Sequence, residues 1–329
     1  MSSSAPASVT SPPLPFLCSP HYPFAMAWIA ALQAVMPNER IVPFAALTDF
    51  EKATCSVAIV ANPDPDEVRA LSGLQWVHSV WAGVERLVAE LDAEPGGTGA
   101  SIQIVRLIDP ALAETMAEAV LAWTLYLHRD MPRYALQQRA SQWREHDYIR
   151  PAAKMVGLLG LGALGEVAAR RLHASGFQVS GWSRRRRSIA GVRCFAGDSE
   201  LPTMLAQTDI VVCLLPLTPD TRHVVNSAAL AAMKPGAGLI NFARGPIVDD
   251  AALHAALDTG RIGHAVLDVF AQEPLPPESW HWQHPRVTVL PHISAPTDRM
   301  SASAIVAKNI ALFRANGTIP PVVNRQQGY

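Results

Sequence analysis

The chain has 329 residues, with 27 Lys+Arg against 28 Asp+Glu and a formal net charge of −1. That length allows more than one domain with its own core. The balanced charge indicates no polyanion partner and the run Arg184 to Arg187 is too local to make a nucleic-acid face, so no nucleic-acid partner is expected.

Residues 1–14 are rich in Ser, Ala and Pro and are expected to form a disordered tail. They lack the basic start and long apolar core of a secretion signal. The apolar stretch 24–36 is too short to span a bilayer, so no membrane partner is expected. Cys18, Cys55, Cys194 and Cys213 have no metal-ligand spacing, and no metal site is expected. Cys213 lies in an apolar strand pattern and reads as core. A reducing, cytoplasmic location fits this cysteine usage.

Short apolar runs at 15–18, 56–60, 75–80 and 102–105 predict strands, and 21–36 and 66–71 predict helices. This alternation predicts a small parallel α/β unit without a phosphate-binding glycine fingerprint, hence the substrate side. A long Ala- and Leu-rich helix is expected over 115–130. An irregular polar stretch, 132–153, follows it and includes Trp143. Strands around Val156 and Val179, and at 210–214, 238–241, 264–267 and 287–290, predict a second, doubly wound sheet. A last helix is expected over 301–316. Ligands of such sheets bind beyond the carboxyl ends of the strands, so a cleft between the domains is the expected active site.

The second sheet opens with its most informative segment. Residues 155–159 read as a buried strand, Gly160, Gly162 and Gly165 spell G-x-G-x-x-G, and a helical pattern follows from Glu166. The first glycine permits a tight turn, the second a close approach of backbone to pyrophosphate, and the third helix-on-strand packing. Ala163 and Leu164 lie in the same turn, at a helix N-terminus suited to phosphate. The next strand ends about twenty residues past the glycines, where an NAD site carries Asp or Glu for the ribose 2′-hydroxyl. Here Ser183 is followed by Arg184, Arg185, Arg186 and Arg187. Guanidinium groups suit a 2′-phosphate, so NADPH is expected to be preferred over NADH, with Ser183, Arg184 and Arg185 as contacts. The bland alternative is a solvated basic loop.

Three later strands are each followed by a chemically capable residue: Arg244, Glu273 and His292. Singly, each has an ordinary reading as a surface charge, a turn acid and a packed imidazole. Parallel strands end on one edge, so together they can converge beside a nicotinamide. Leu215, Pro216 and Thr218 follow another strand and are candidates for the cofactor wall, as are Ala243 and Asp268. Loop packing and turn capping are their alternatives. Trp81, Trp143, Trp280 and Trp282 are large enough to shape a small pocket, with packing as the alternative.

The motifs Trp81-Ala82-Gly83-Val84-Glu85, Leu215-Pro216-Leu217-Thr218, Asn241-Phe242-Ala243-Arg244-Gly245, the Asp268 to Pro274 segment and Pro291-His292-Ile293-Ser294-Ala295 accompany the glycine motif in order. In this combination the chain resembles the D-2-hydroxyacid dehydrogenase family, in its glyoxylate/hydroxypyruvate reductase branch. The resemblance implies two Rossmann-like or flavodoxin-like α/β domains with parallel sheets. It implies a discontinuous substrate-binding domain, 15–113 plus 297–329, around an NADP-binding Rossmann domain, 114–296, with a dimerisation arm and hence a homodimer. It implies NADPH-dependent reduction of a small 2-oxo acid to the D-2-hydroxy acid. Arg244 would bind substrate, His292 would be the general acid and Glu273 its partner. The backbone N–H groups at Ala82, Gly83 and Val84 would receive the substrate carboxylate as an anion nest, with a plain strand-to-helix turn as the alternative, and Trp81 beside them is a candidate substrate wall. The alternatives are a dehydrogenase for another 2-oxo acid and a dinucleotide-sensing scaffold like the corepressors of the superfamily.

Overall fold

The structure, a computed structural model, describes residues 12–93 and 98–325. The described chain divides into two units, one made of 12–109 with 297–325 and the other of Pro110–Pro296.

The first unit is a parallel sheet of five strands in the order β2-β1-β3-β4-β5. They are β1 (Leu14–Cys18), β2 (Ile41–Pro43), β3 (Val57–Ala61), β4 (Trp76–Ser79) and β5 (Gln103–Val105). Between them lie α1 (Ala25–Val35), α2 (Asp49–Thr54), α3 (Pro65–Arg69) and α4 (Glu85–Asp92). All of β3 is buried, as expected of a parallel strand covered on both faces.

Several expectations need correction here. Leu14, placed in the tail, is already strand and fully buried; the rest of the tail up to residue 11 lies outside the described residues. The first helix starts at Ala25, not at 21. The short strand β2 and helices α2 and α4 were not foreseen. A capping box fixes the start of α2: Thr48 Oγ1 accepts from the Glu51 N–H, and Glu51 Oε2 accepts from the Thr48 N–H.

The second unit opens with α5 (Pro110–His128), earlier than residue 115 because Pro110 is well tolerated at a helix start. The stretch expected to be irregular contains α6 (Met131–Arg139), with Pro132 in its first turn. Proline there loses no hydrogen bond, so it begins the helix rather than breaking it. The sheet has seven parallel strands in the order β12-β11-β10-β9-β6-β7-β8. They are β6 (Met155–Leu159), β7 (Gln178–Ser183), β8 (Val192–Ala196), β9 (Ile210–Cys213), β10 (Ala237–Asn241), β11 (Ile262–Leu267) and β12 (Val287–Val289). The edge strand β8 is only partly buried and its apolar signal is weak, which is why it was not foreseen. Connecting helices are α7 (Ala163–Ala174), α8 (Leu201–Leu205), α9 (Ser227–Ala232) and α10 (Asp250–Asp258). Cys213 is fully buried in this core.

The chain then returns to the first unit through α11 (Arg299–Asn316), whose Ala302, Val306 and Ile310 share a core with Trp28, Leu32 and Trp76. Buried His78 on β4 faces Asn309 of α11, with Nδ2 of the asparagine 2.9 Å from Nε2 of the imidazole. Among the described residues no helix is long and apolar enough to cross a membrane.

Candidate active site

The strand order reverses between β6 and β9, the position where doubly wound sheets bind nucleotides. The glycine turn sits there. Gly160 has φ +109, and a Cβ on it would lie 2.7 Å from the Leu214 carbonyl oxygen after β9. A Cβ on Gly165 would lie 1.9 Å from Gly160 O, so the third glycine lets α7 meet the turn. Gly162 is different: a Cβ there meets nothing within 4 Å. It is the N-cap of α7, with no side-chain cap for the N–H groups that follow. Open space beside uncapped N–H donors fits a pyrophosphate.

At the end of β7, Ser183 Oγ donates to the Arg185 carbonyl at 2.7 Å. Arg184 and Arg185 are exposed beyond it. Arg187 pairs with Glu166 at 3.1 Å, and Arg186 pairs with Glu200.

The ends of β10, β11 and β12 carry the other candidates. Asn241 closes β10; its Oδ1 accepts from the Ala243 N–H at 3.2 Å and its Nδ2 donates to the Arg244 carbonyl at 3.0 Å. The amide thus fixes the backbone on both sides of the turn that presents Arg244. Beyond β11, the Phe270 N–H donates to Glu273 Oε1 at 2.9 Å. Glu273 Oε2 lies 2.7 Å from His292 Nδ1. The peptide between Glu273 and Pro274 is cis. Asp268 is buried, and its two oxygens accept from the Ile293 and Ser294 N–H groups at 2.7 and 2.9 Å. It holds the turn in which His292 adopts φ +54.

The electrostatics follow from this geometry. The Glu273 hydrogen bond raises the His292 pKa above the ordinary imidazole range; burial and the Arg244 charge oppose it, and the Glu273 and Asp268 charges reinforce it. Burial alone would raise the Glu273 carboxyl. The hydrogen bonds from His292 and Phe270, with the His292 and Arg244 charges, reverse that and hold it low. The pair therefore favours imidazolium beside carboxylate.

The fold and this edge define a dinucleotide-binding α/β enzyme. The family model for the D-isomer specific 2-hydroxyacid dehydrogenase NAD-binding domain matches residues 121–294. A D-isomer specific 2-hydroxyacid dehydrogenase from Xanthobacter autotrophicus Py2, solved with NADPH and MES, is 37% identical over 96% of this chain and 99% of that one, with a TM-score of 0.88. An NADPH-dependent glyoxylate/hydroxypyruvate reductase from Sinorhizobium meliloti, solved with NADP and sulfate, is 33% identical over 96% of this chain and 100% of that one, with a TM-score of 0.85. A probable 2-hydroxyacid dehydrogenase from Rhizobium etli CFN 42, solved with NADP, HEPES and L(+)-tartaric acid, is 30% identical over 96% and 99%, with a TM-score of 0.84. The chain belongs to the D-isomer specific 2-hydroxyacid dehydrogenase family, the NAD(P)-dependent oxidoreductases of small 2-hydroxy and 2-oxo acids.

Other candidates fall in various places. Leu215 is buried in the core, and Thr218 binds Thr221 within its own turn, its N–H donating to Thr221 Oγ1 at 2.8 Å. Pro216 offers its carbonyl to the Thr221 hydroxyl at 2.7 Å. Trp81 packs edge-on to Tyr22, with ring centroids 5.7 Å apart. No hydrogen bond to the Ala82, Gly83 or Val84 N–H groups is found among the described residues. Trp143 is 98% exposed, and Trp282 donates to the Pro276 carbonyl. For Asp268 the structure shows the turn-capping alternative, both its oxygens being taken by the Ile293 and Ser294 N–H groups, while the role of Asn241 in holding Arg244 has no counterpart among the sequence expectations. Asn241 stood in the motif, but nothing in its sequence position tells that its amide turns back on the loop.

His254, Asp258 and His284 bring potential metal ligands within 4.8 Å of one another. Their hydrogen bonds do not suit a metal. His284 Nδ1 accepts from the Arg286 N–H at 3.1 Å, so Nε2 carries the proton and donates to Asp258 Oδ1 at 3.3 Å. A neutral imidazole in that tautomer has no lone pair left for an ion.

Proposed function

We propose that this enzyme uses NADPH to reduce a small 2-oxo acid, glyoxylate to glycolate or hydroxypyruvate to the D-2-hydroxy acid. The carrying observation is the 2.7 Å contact of His292 Nδ1 with Glu273 Oε2. Nδ1–H donates to the carboxylate, which leaves the Nε2 proton of the imidazolium for the substrate. When bound, NADPH supplies a hydride to the carbonyl carbon. His292 delivers the Nε2 proton to the carbonyl oxygen as general acid. Arg244 forks onto the carboxylate and carbonyl oxygen, orienting the acid and opposing the charge that grows on oxygen. The turn at Ala82, Gly83 and Val84, whose N–H groups are uncommitted among the described residues, receives the substrate carboxylate. The unit made of 12–109 and 297–325 is the substrate-binding domain on this reading.

Ser183, Arg184 and Arg185 take the 2′-phosphate. The relatives solved with NADPH or NADP support this choice, as does the lack of an acid at the end of β7. The enzyme is further proposed to be a homodimer. Exposed apolar side chains gather on α5, α6 and the segment after them: Leu125, Met131, Tyr134, Leu136, Trp143 and Tyr148. A second copy of the same arm would cover them. Four free thiols support a reducing, cytoplasmic setting.

The test is oxidation of NADPH and NADH, side by side, with glyoxylate, hydroxypyruvate and pyruvate. Fast NADPH turnover with either of the first two is expected. NADH preference would remove the cofactor assignment and leave the acid pair standing; turnover of pyruvate alone would remove the substrate assignment. Sedimentation velocity tests the dimer, which a monomer at micromolar concentration would refute.

A further inference from the structure

The connection from β7 to β8 carries four consecutive arginines and no regular secondary structure. Neighbouring like charges repel and extend a loop, so a defined conformation needs counter-charges. Two acids supply them from different elements. Glu166, in the first turn of α7, accepts from Arg170 at 2.8 Å and from Arg187 at 3.1 Å. Glu200, beyond β8, accepts from Arg186 and, at 2.8 Å, from the Ala196 N–H. Arg186 donates a further bond to the Cys194 carbonyl at 2.9 Å. The far half of the loop is thereby tied both to the helix that begins at the glycine turn and to the neighbouring strand.

Both acids are counter-intuitive beside a site for a phosphorylated dinucleotide. By Coulomb's law alone, each weakens phosphate binding. A single exposed ion pair also contributes little. Here, however, each carboxylate holds more than one partner, and each tie removes rotamer freedom from a long side chain before any ligand arrives. Preorganisation of that kind lowers the entropy cost of a forked phosphate contact.

We propose that Glu166 and Glu200 are positioning residues for NADPH. By taking up Arg187 and Arg186, they fix the loop so that Ser183, Arg184 and Arg185 meet the 2′-phosphate in a set geometry. This rests on the NADPH reading above.

The experiment is calorimetric titration of NADP+ and NAD+ into the full-length protein, without substrate, for the wild type, Glu166→Gln, Glu200→Gln and Arg186→Gln. All the substituted side chains are at the surface or half-buried, so the fold is expected to persist. Loss of either acid should raise the Kd of NADP+ about three- to tenfold, while that of NAD+ moves less than about twofold. Arg186→Gln should weaken NADP+ in the same direction as Glu200→Gln and by at least as much, because it cuts the same tie and the Cys194 bond as well. Unchanged or tighter NADP+ binding in the acid variants overturns the proposal, since charge alone would then govern. So does a much larger loss in Arg186→Gln than in Glu200→Gln, which would make Arg186 itself the phosphate ligand. A wild type that binds NAD+ as tightly as NADP+ overturns both the proposal and the reading beneath it. A wild type that prefers NADP+, with acid variants whose ratio of NADP+ to NAD+ affinity is unchanged from it, overturns the proposal alone.

Discussion

His292 Nδ1 and Glu273 Oε2 stand 2.7 Å apart, on turns that follow different strands of one sheet. The contact fixes the imidazole's direction and its charge together. Glu273 raises the His292 pKa, and on the proposed mechanism reduction uses the protonated ring, so the rate should fall only as pH rises through that raised value. In Glu273→Gln the main cause of the upward shift is gone. The alkaline limb of kcat for reduction should move to lower pH, and turnover at mildly alkaline pH should drop. His292→Ala should lose about a hundred- to ten-thousandfold in kcat while NADPH binding stays nearly intact. A Glu273→Gln profile that overlays the wild type would refute the pairing as the source of the acid's pKa.

Arg244 depends on a residue that need never touch substrate. Asn241 accepts from the Ala243 N–H and donates to the Arg244 carbonyl, and both bonds are inside the protein. Asn241→Ala leaves that carbonyl and N–H without partners and frees the turn. With Arg244 as the substrate clamp proposed above, a small misplacement of its guanidinium costs heavily, so kcat/KM for the 2-oxo acid should fall about ten- to a hundredfold. The Kd of NADPH should change much less. Asn241→Asp keeps the acceptor for Ala243 and loses the donor to Arg244, and should fall between wild type and alanine. Equal losses in NADPH binding and in kcat/KM would mean general disruption instead.

Much of this was legible in the sequence, for physical reasons. Strands buried on both faces, such as β6, β9 and β10, are continuous apolar runs and stand out from the chain. The glycine turn is legible because backbone geometry leaves few substitutes for Gly160 and Gly165. Arg244, Glu273 and His292 are legible because parallel strands end on one edge. The short or edge elements β2, β8 and α6 carry too little apolar pattern to register. Support contacts escaped for another reason. Asp268 meets Ile293 and Ser294, and Glu200 meets Arg186, only because the fold closes the chain between them. No spacing rule encodes such pairs.

Acid should loosen the first unit through His78. This imidazole is fully buried, with Nδ1 donating to the Ser79 carbonyl at 2.9 Å, and burial lowers its pKa from 6.5 to about 4. Above pH 6.5 neither folded nor unfolded chain protonates it, and its full contribution is present. As pH falls from there towards about 4, the unfolded chain takes up the proton first, so stability is lost across that window and levels off below it. The loss is on the order of 3 kcal/mol. Protection factors of the β4 amides, taken against the intrinsic exchange rate at each pH, should fall over the same range, and His78→Gln should flatten the dependence. A variant with the same acid sensitivity as wild type would assign the effect elsewhere, for instance to His264, whose pKa burial also lowers to about 4.

The glycines of the turn should separate by function. Gly165→Ala forces a Cβ to within 1.9 Å of Gly160 O, so backbone must move. Overpacking of this kind costs about 1–3 kcal/mol, and the variant should melt lower even without cofactor. Gly162→Ala meets no atom within 4 Å at a φ of −76°, which alanine adopts freely. Its apo stability should stay within about 0.5 kcal/mol of wild type. The added methyl would instead occupy the space beside the uncapped N–H groups of α7, where a pyrophosphate must come close. NADPH affinity should therefore fall by about tenfold or more through lost backbone contact. Thermal melts with and without NADPH read both effects at once. If Gly162→Ala kept its full cofactor-induced rise in Tm, the pyrophosphate would not lie against this residue.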